Sequence, residues 1–130
     1  MRGRFVEARR AAYERGLAAE RLCALRLRLM GWRILARRYA TPVGELDIVA
    51  KRGALIAFVE VKYRREQQGI LETISARQQR RIENAATIFL SRHPKWRKLS
   101  FRFDLMVVSP WRWPSHLPDA WRSDRRGAVL

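Results

Sequence analysis

The chain has 130 residues, 28 of them Lys or Arg against 12 Asp or Glu, for a formal charge of +16, and 48% are apolar. That length and apolar content predict one domain over 1–130 with a core of its own, and the charge, which repels itself unless it meets a polyanion, points to nucleic acid or an anionic surface as partner. No apolar run approaches the roughly 20 residues of a membrane span, the basic Met1–Arg15 stretch lacks the apolar core and cleavage site of a signal peptide, and a single cysteine with two histidines excludes an internal disulfide and a thiolate- or imidazole-dominated metal centre. A cytoplasmic protein without membrane attachment is expected, in which any metal is an oxygen-bound Mg²⁺ or Mn²⁺.

Apolar residues recur at helical spacing from Arg4 to Met30, and Gly31 supplies the stop. Trp32–Tyr39 reads as a partly exposed strand, punctuated by Thr41-Pro42. Gly44–Arg52 and Ala54–Tyr63 read as two further strands joined by a tight turn at Arg52-Gly53. Arg64–Gly69 is a polar loop. Ser75, with Gln78 three residues on, opens a second helix in capping-box fashion, and the stripe Ile82, Ala85, Ala86, Phe89, Leu90 runs to the stop at His93-Pro94. Leu99–Val108 is a fourth strand with Phe101, Phe103, Leu105 and Val107 on one face, and 109–130, with Trp111, Trp113 and Trp121, is a less regular tail that wraps the domain with room for one short strand or turn of helix. The order is α-β-β-β-α-β, an α/β (α+β) domain with a mixed sheet flanked by helices.

Glu45, Asp47 and Glu60 lie inside strands that otherwise read as buried. A carboxylate taken out of water without a partner loses several kcal/mol, so such acids are paired, protonated or bound to metal. Alternation puts Glu60 and Lys62 on one strand face. A two-residue turn at Arg52-Gly53 sets Asp47 opposite Phe58 and diagonal to Glu60, roughly 7 to 8 Å away at the backbone and within reach of one shared ion; a three-residue loop sends Asp47 to the other face. Glu20 has Gly16, Leu17, Cys23, Ala24 and Leu27 around it at helical spacing, which points it toward the sheet. Two carboxylates, a divalent ion and an adjacent ammonium are what phosphodiester hydrolysis uses, and the basic excess suits a nucleic-acid backbone. On the residues alone, an ion pair of Lys62 with either acid on an open sheet face accounts for the pattern equally well.

The ordered series Glu20, Gly44-Glu45-Leu46-Asp47 and Glu60-Val61-Lys62 resembles the PD-(D/E)xK nuclease superfamily, with its restriction-endonuclease-like and Holliday-junction-resolvase-like members. More narrowly, the chain resembles the YraN family of small bacterial proteins. The match runs through Gly16 with Ala19-Glu20, Gly31, Gly44–Ala50, Phe58–Arg64, Arg77–Ile82 and Arg102-Phe103-Asp104, from about Tyr13 to Asp119. The resemblance implies a restriction-endonuclease-like fold and a Mg²⁺- or Mn²⁺-dependent DNA endonuclease, with branched or recombination-type DNA as substrate and a homodimer where two symmetric cuts are made. It implies Asp47 and Glu60 as metal ligands together with the Val61 carbonyl, Lys62 as the base-like residue, Glu20 as an outer or water-mediated ligand, and Gln78 or Gln79 as the polar group on the following helix. Arg77 stands where members often carry lysine.

Glu45 takes a supporting role, Asp104 an internal ion pair with Arg102, and Arg64, Arg65, Arg77, Arg80 and Arg81 a phosphate-binding rim. Trp32 and Trp96 are packing residues; the three tail tryptophans cap the core or a contact, with stacking on unpaired bases the alternative. A nucleic-acid-binding module or adaptor without catalysis satisfies the same fold and charge. A basic ribonucleoprotein component satisfies the charge but leaves the buried acids unexplained.

Overall fold

The computed structural model describes residues 2–65 and 74–123; the loop expected at Arg64–Gly69 lies partly, and the tail beyond Ser123 wholly, outside them. Helix α1 (Arg2–Leu29) ends where Gly31 adopts φ +90° and the Trp32 N–H reaches back to the Leu27 carbonyl at 2.9 Å, a left-handed cap that glycine adopts without steric cost. Only the second half of α1 is packed. Ala19, Cys23, Ala24 and Leu27 are buried on the sheet, whereas residues 3–16 are exposed.

Strands β1 (Arg33–Thr41), β2 (Gly44–Arg52) and β3 (Leu55–Tyr63) form an antiparallel meander. Helix α2 (Ala76–Arg92) then crosses over, so that β4 (Ser100–Val108) lies parallel to β3, and β5 (Ser115–Trp121) returns antiparallel along β4. The five strands stand in chain order, β1-β2-β3-β4-β5. One helix covers each face: α1 packs on Ile48, Ala50, Ala57, Val59 and Met106, while α2 packs on Val49, Ile56, Phe58 and Phe103. This is the mixed sheet flanked by helices that the pattern predicts, lengthened by one strand.

One detail differs from expectation, and the short strand left open in the tail is present. Arg52 pairs with Leu55, so the turn is Gly53-Ala54 rather than Arg52-Gly53. Gly53 has φ +61° and occupies the first central position, the place a II′ hairpin turn reserves for glycine. Phe58 therefore pairs with Val49, not Asp47; the ladder ends at Ile48 and Val59, and one further step of the same register sets Asp47 across from Glu60. Its parity is unchanged. The tail also contains β5, whose period is masked in sequence by Pro118 and by Asp119 at φ +51°, and whose register slips between Phe103 and Leu105. Proline is tolerated there because β5 is an edge strand.

No helix among the described residues is long and apolar enough to cross a membrane. The start of β2, the ends of β3 and β4 and the start of α2 meet at one end of the sheet, and the acidic residues gather there.

Candidate metal centre

Antiparallel pairing of β2 with β3 is recorded as far as Ile48 and Val59. One residue further on, the Val61 N–H donates to Asp47 Oδ2 at 2.9 Å. The aspartate thus takes over a ladder hydrogen bond and is held at the point where the strands part. Across from it Glu60 is 7% exposed, with Lys62 Nζ 3.2 Å and Gln78 Nε2 3.0 Å from Oε1. Ser75 Oγ accepts from the Gln78 N–H at 3.1 Å, fixing the first turn of α2. The Gln78 side chain does not close the capping box expected from sequence; it reaches across to Glu60 instead.

The carboxyls of Asp47 and Glu60 lie close enough to act on each other directly. Burial, then the charge of Asp47, pushes Glu60 up to about 8. Asp47 is raised as well, because burial outweighs the Val61 N–H and the Lys62 ammonium. Two carboxylates this close cannot both ionise cheaply without a counter-charge.

Glu20, as its helical position predicts, faces inward and is 7% exposed. Its nearest cations are Arg37 Nε at 3.9 Å and Arg38 Nε at 4.0 Å, and its buried Oε1 accepts no hydrogen bond. Burial followed by repulsion from Asp47 raises its pKa against both arginines. Glu45 is about half exposed and pairs with Arg38 Nε at 3.6 Å, the supporting position expected of it. Glu20, Arg38, Glu45, Asp47 and Val61 line a cleft of about 210 Å³.

Gln79 is not brought to the site, since its Nε2 donates to the Ile74 carbonyl at 3.2 Å. Arg64, Arg65, Arg77, Arg80 and Arg81 are all exposed at or near the strand end and the start of α2, and Arg64 bonds its neighbour's carbonyl at 2.8 Å. The Cys23 thiol, pushed up to about 12 by burial, is not a nucleophile here.

Sequence reasoning missed Arg38, which reads as one more surface cation. Its backbone is left-handed, φ +50°, and neighbouring pairs place it across β2 from Asp47. It also reduced the Asp104 cluster to one ion pair. Asp104 is fully buried and receives Arg102 at 2.9 and 3.2 Å, His116 Nε2 at 2.8 Å and the Asp119 N–H at 2.9 Å. Burial pushes its pKa up, but these bonds outweigh it and hold the carboxyl below its ordinary value. Three of its donors come from β5 or the adjoining strand, so the cluster is structural.

The acids at the cleft fit a hard divalent cation. Three carboxyls with raised pKa and one buried, unbonded oxygen leave room for positive charge among oxygen donors. Asp47 and Glu60 are the donors positioned to hold it. No group of three or more His, Cys, Asp or Glu converges among the described residues.

Residues 19–108 match the model of the uncharacterised protein family UPF0102. The chain is 52% identical over 112 residues to a UPF0102 protein of Parvibaculum lavamentivorans, covering 86% of this chain and 84% of that one. It is 51% identical over 112 residues to one of Mesorhizobium japonicum, covering 86% and 90%. Over 121 residues it is 48% identical to one of Paramagnetospirillum magneticum, covering 90% and 94%.

Proposed function

The chain belongs to the UPF0102 family, and from the site it carries we propose that it is a Mg²⁺- or Mn²⁺-dependent DNA endonuclease. The observation that carries this reading is the pair formed by half-buried Asp47, held by the Val61 N–H at 2.9 Å, and buried Glu60, flanked by Lys62 at 3.2 Å. Asp47 and Glu60 would hold a divalent ion there, whose chemistry would be to activate water and polarise a phosphoryl oxygen. The Val61 N–H and Gln78 Nε2 orient the two carboxyls. Lys62 offsets negative charge as it develops on the phosphate. Glu20 serves as an outer acceptor for water. The charge of +16 holds the nucleic-acid backbone. The resemblance to the YraN family and the PD-(D/E)xK superfamily supports the same assignment, and adds branched DNA, a cytoplasmic setting and a homodimer as its finer terms.

Incubating the protein with four-way junctions, flaps and linear duplex, with and without Mg²⁺ or Mn²⁺, tests it. Metal-dependent cleavage that Asp47→Ala and Glu60→Ala abolish is expected. Absence of cleavage under every condition, or cleavage unaffected by both substitutions, overturns the reading.

A second reading, a nucleic-acid-binding module or adaptor without catalysis, is favoured by the absence of a three-donor cluster among the described residues. It requires salt-sensitive binding that survives Asp47→Ala and no response to divalent ions.

A further inference from the structure

The cleft beside the acids has a second wall that the metal does not need. Arg38 forms part of it, in a left-handed backbone conformation (φ +50°) that a non-glycine residue seldom adopts and that tends to be retained where function over-determines it. Its Nη1 donates to the Tyr13 hydroxyl at 2.9 Å and its guanidinium lies 5.0 Å from the Tyr13 ring centroid. Tyr63, from the end of β3, borders the same space.

The helix side of the cleft is marked by Gly16. Glycine inside a helix is less favourable than alanine, and a Cβ added at Gly16 would meet no heavy atom within 4 Å. Packing therefore gives no reason for the missing side chain. The bare backbone keeps the cleft open on the side facing Asp47, Val61 and Tyr63.

We propose that this cleft is a nucleotide subsite, in which one unpaired nucleotide next to the scissile phosphate lies against the backbone at Gly16, with its phosphate on Arg38. The inference rests on the nuclease reading above and names the form of its substrate. About 210 Å³ lies below the roughly 300 Å³ at the small end of drug-sized pockets, room for part of one nucleotide with the rest in the open mouth of the cleft, and not for a base pair. A guanidinium is suited to a phosphate by its planar fork of donors, and the Tyr13 and Tyr63 rings offer the aromatic surface on which a base stacks. Glu45 and Glu20 hold Arg38 in place at 3.6 and 4.0 Å.

The test measures anisotropy of a labelled single-stranded oligonucleotide, in an Asp47→Asn background of the full chain with Mg²⁺ present, together with melting temperature. Gly16→Ala is expected to raise the melting temperature while weakening binding several-fold, and Gly16→Leu to weaken it further. Arg38→Asn, which keeps the left-handed backbone accessible, is expected to weaken binding and to lower the slope of log affinity against log salt by about 0.7, the loss of one single-strand phosphate contact. Unchanged affinity in the Gly16 variants, or an unchanged salt slope in Arg38→Asn, overturns the subsite and makes Arg38 a counter-charge only. If the wild-type chain cleaves junctions or duplex while Gly16→Leu cleaves equally well, the subsite falls and the nuclease stands; if it neither binds nor cleaves nucleic acid, both fall.

Discussion

Glu60 is the residue on which the site turns, because its carboxyl meets a second acid, an ammonium and an amide at once. Its folded pKa of about 8 lies above the ordinary 4.5, so the native state holds a proton that the unfolded chain has already released. Its contribution to stability is therefore complete below about pH 4.5 and is lost as pH rises toward about 8. Thermal melts of the metal-free protein are expected to show this decline, and Glu60→Gln, which keeps a donor for Asp47, to flatten it. Added Mg²⁺ is expected to raise the melting temperature more at pH 8 than at pH 6, since the ion competes with the proton on Glu60. Gln78→Ala leaves Glu60 free to swing and is expected to reduce cleavage about 10- to 100-fold. Lys62→Ala, which removes the ammonium itself, is expected to cost about 10²- to 10³-fold in kcat at little change in fold. Single-turnover rates on a cleaved substrate check both. Of these residues, Asp47, Glu60, Lys62 and Glu20 are legible in sequence because an acid in an apolar strand or stripe is conspicuous. Arg38 is not, because one arginine among many carries no signal until its backbone angle is seen.

At the level of elements, β5 is held to the sheet by polar chemistry as much as by packing. Pro118 and the left-handed Asp119 interrupt its ladder, and Asp104 takes up the slack by accepting from His116 and the Asp119 N–H. Asp104→Ala leaves Arg102 and His116 facing an empty buried position, and is expected to destabilise the domain by about 3–5 kcal/mol, read by denaturant unfolding. The pH signature is opposite to that of Glu60. Asp104 has a lowered pKa, so its contribution is full above the ordinary 3.8 and is lost as pH falls through the folded value; Asp104→Asn is expected to remove that acid limb. Helices and the three meander strands follow from periodicity and turn residues, and their boundaries agree with the structure within a residue or two. The place of β5 is not legible because its own pattern is broken by Pro118 and Asp119 and part of what holds it is the Asp104 side chain of β4. The hairpin turn is misplaced by one residue for a local reason: Gly53 can serve either central position, and only the backbone conformation shows it in the first.

Across the whole molecule, the charge of +16 makes affinity for nucleic acid a function of salt. Neutralising Arg64, Arg65, Arg77, Arg80 and Arg81 together is expected to lower the salt slope by about 0.9 for each one that touches a duplex phosphate, with catalysis at saturating substrate retained. Titration at several salt concentrations checks this. By itself the sequence determined the order of the two helices and first four strands, the inward aim of Glu20 and, given a two-residue turn, the shared side of Asp47 and Glu60, because these depend on alternation, helical spacing and residue chemistry along short stretches. Only the tertiary structure decided that Asp47 stands directly across from Glu60, that Gln78 spends its side chain on Glu60 rather than on its own helix cap, that Gln79 turns away, and that Arg38 and Gly16 close a cleft around the acids. Those relations join residues from α1, β1, β2, β3 and α2, and no local period carries the distances between elements that packing sets.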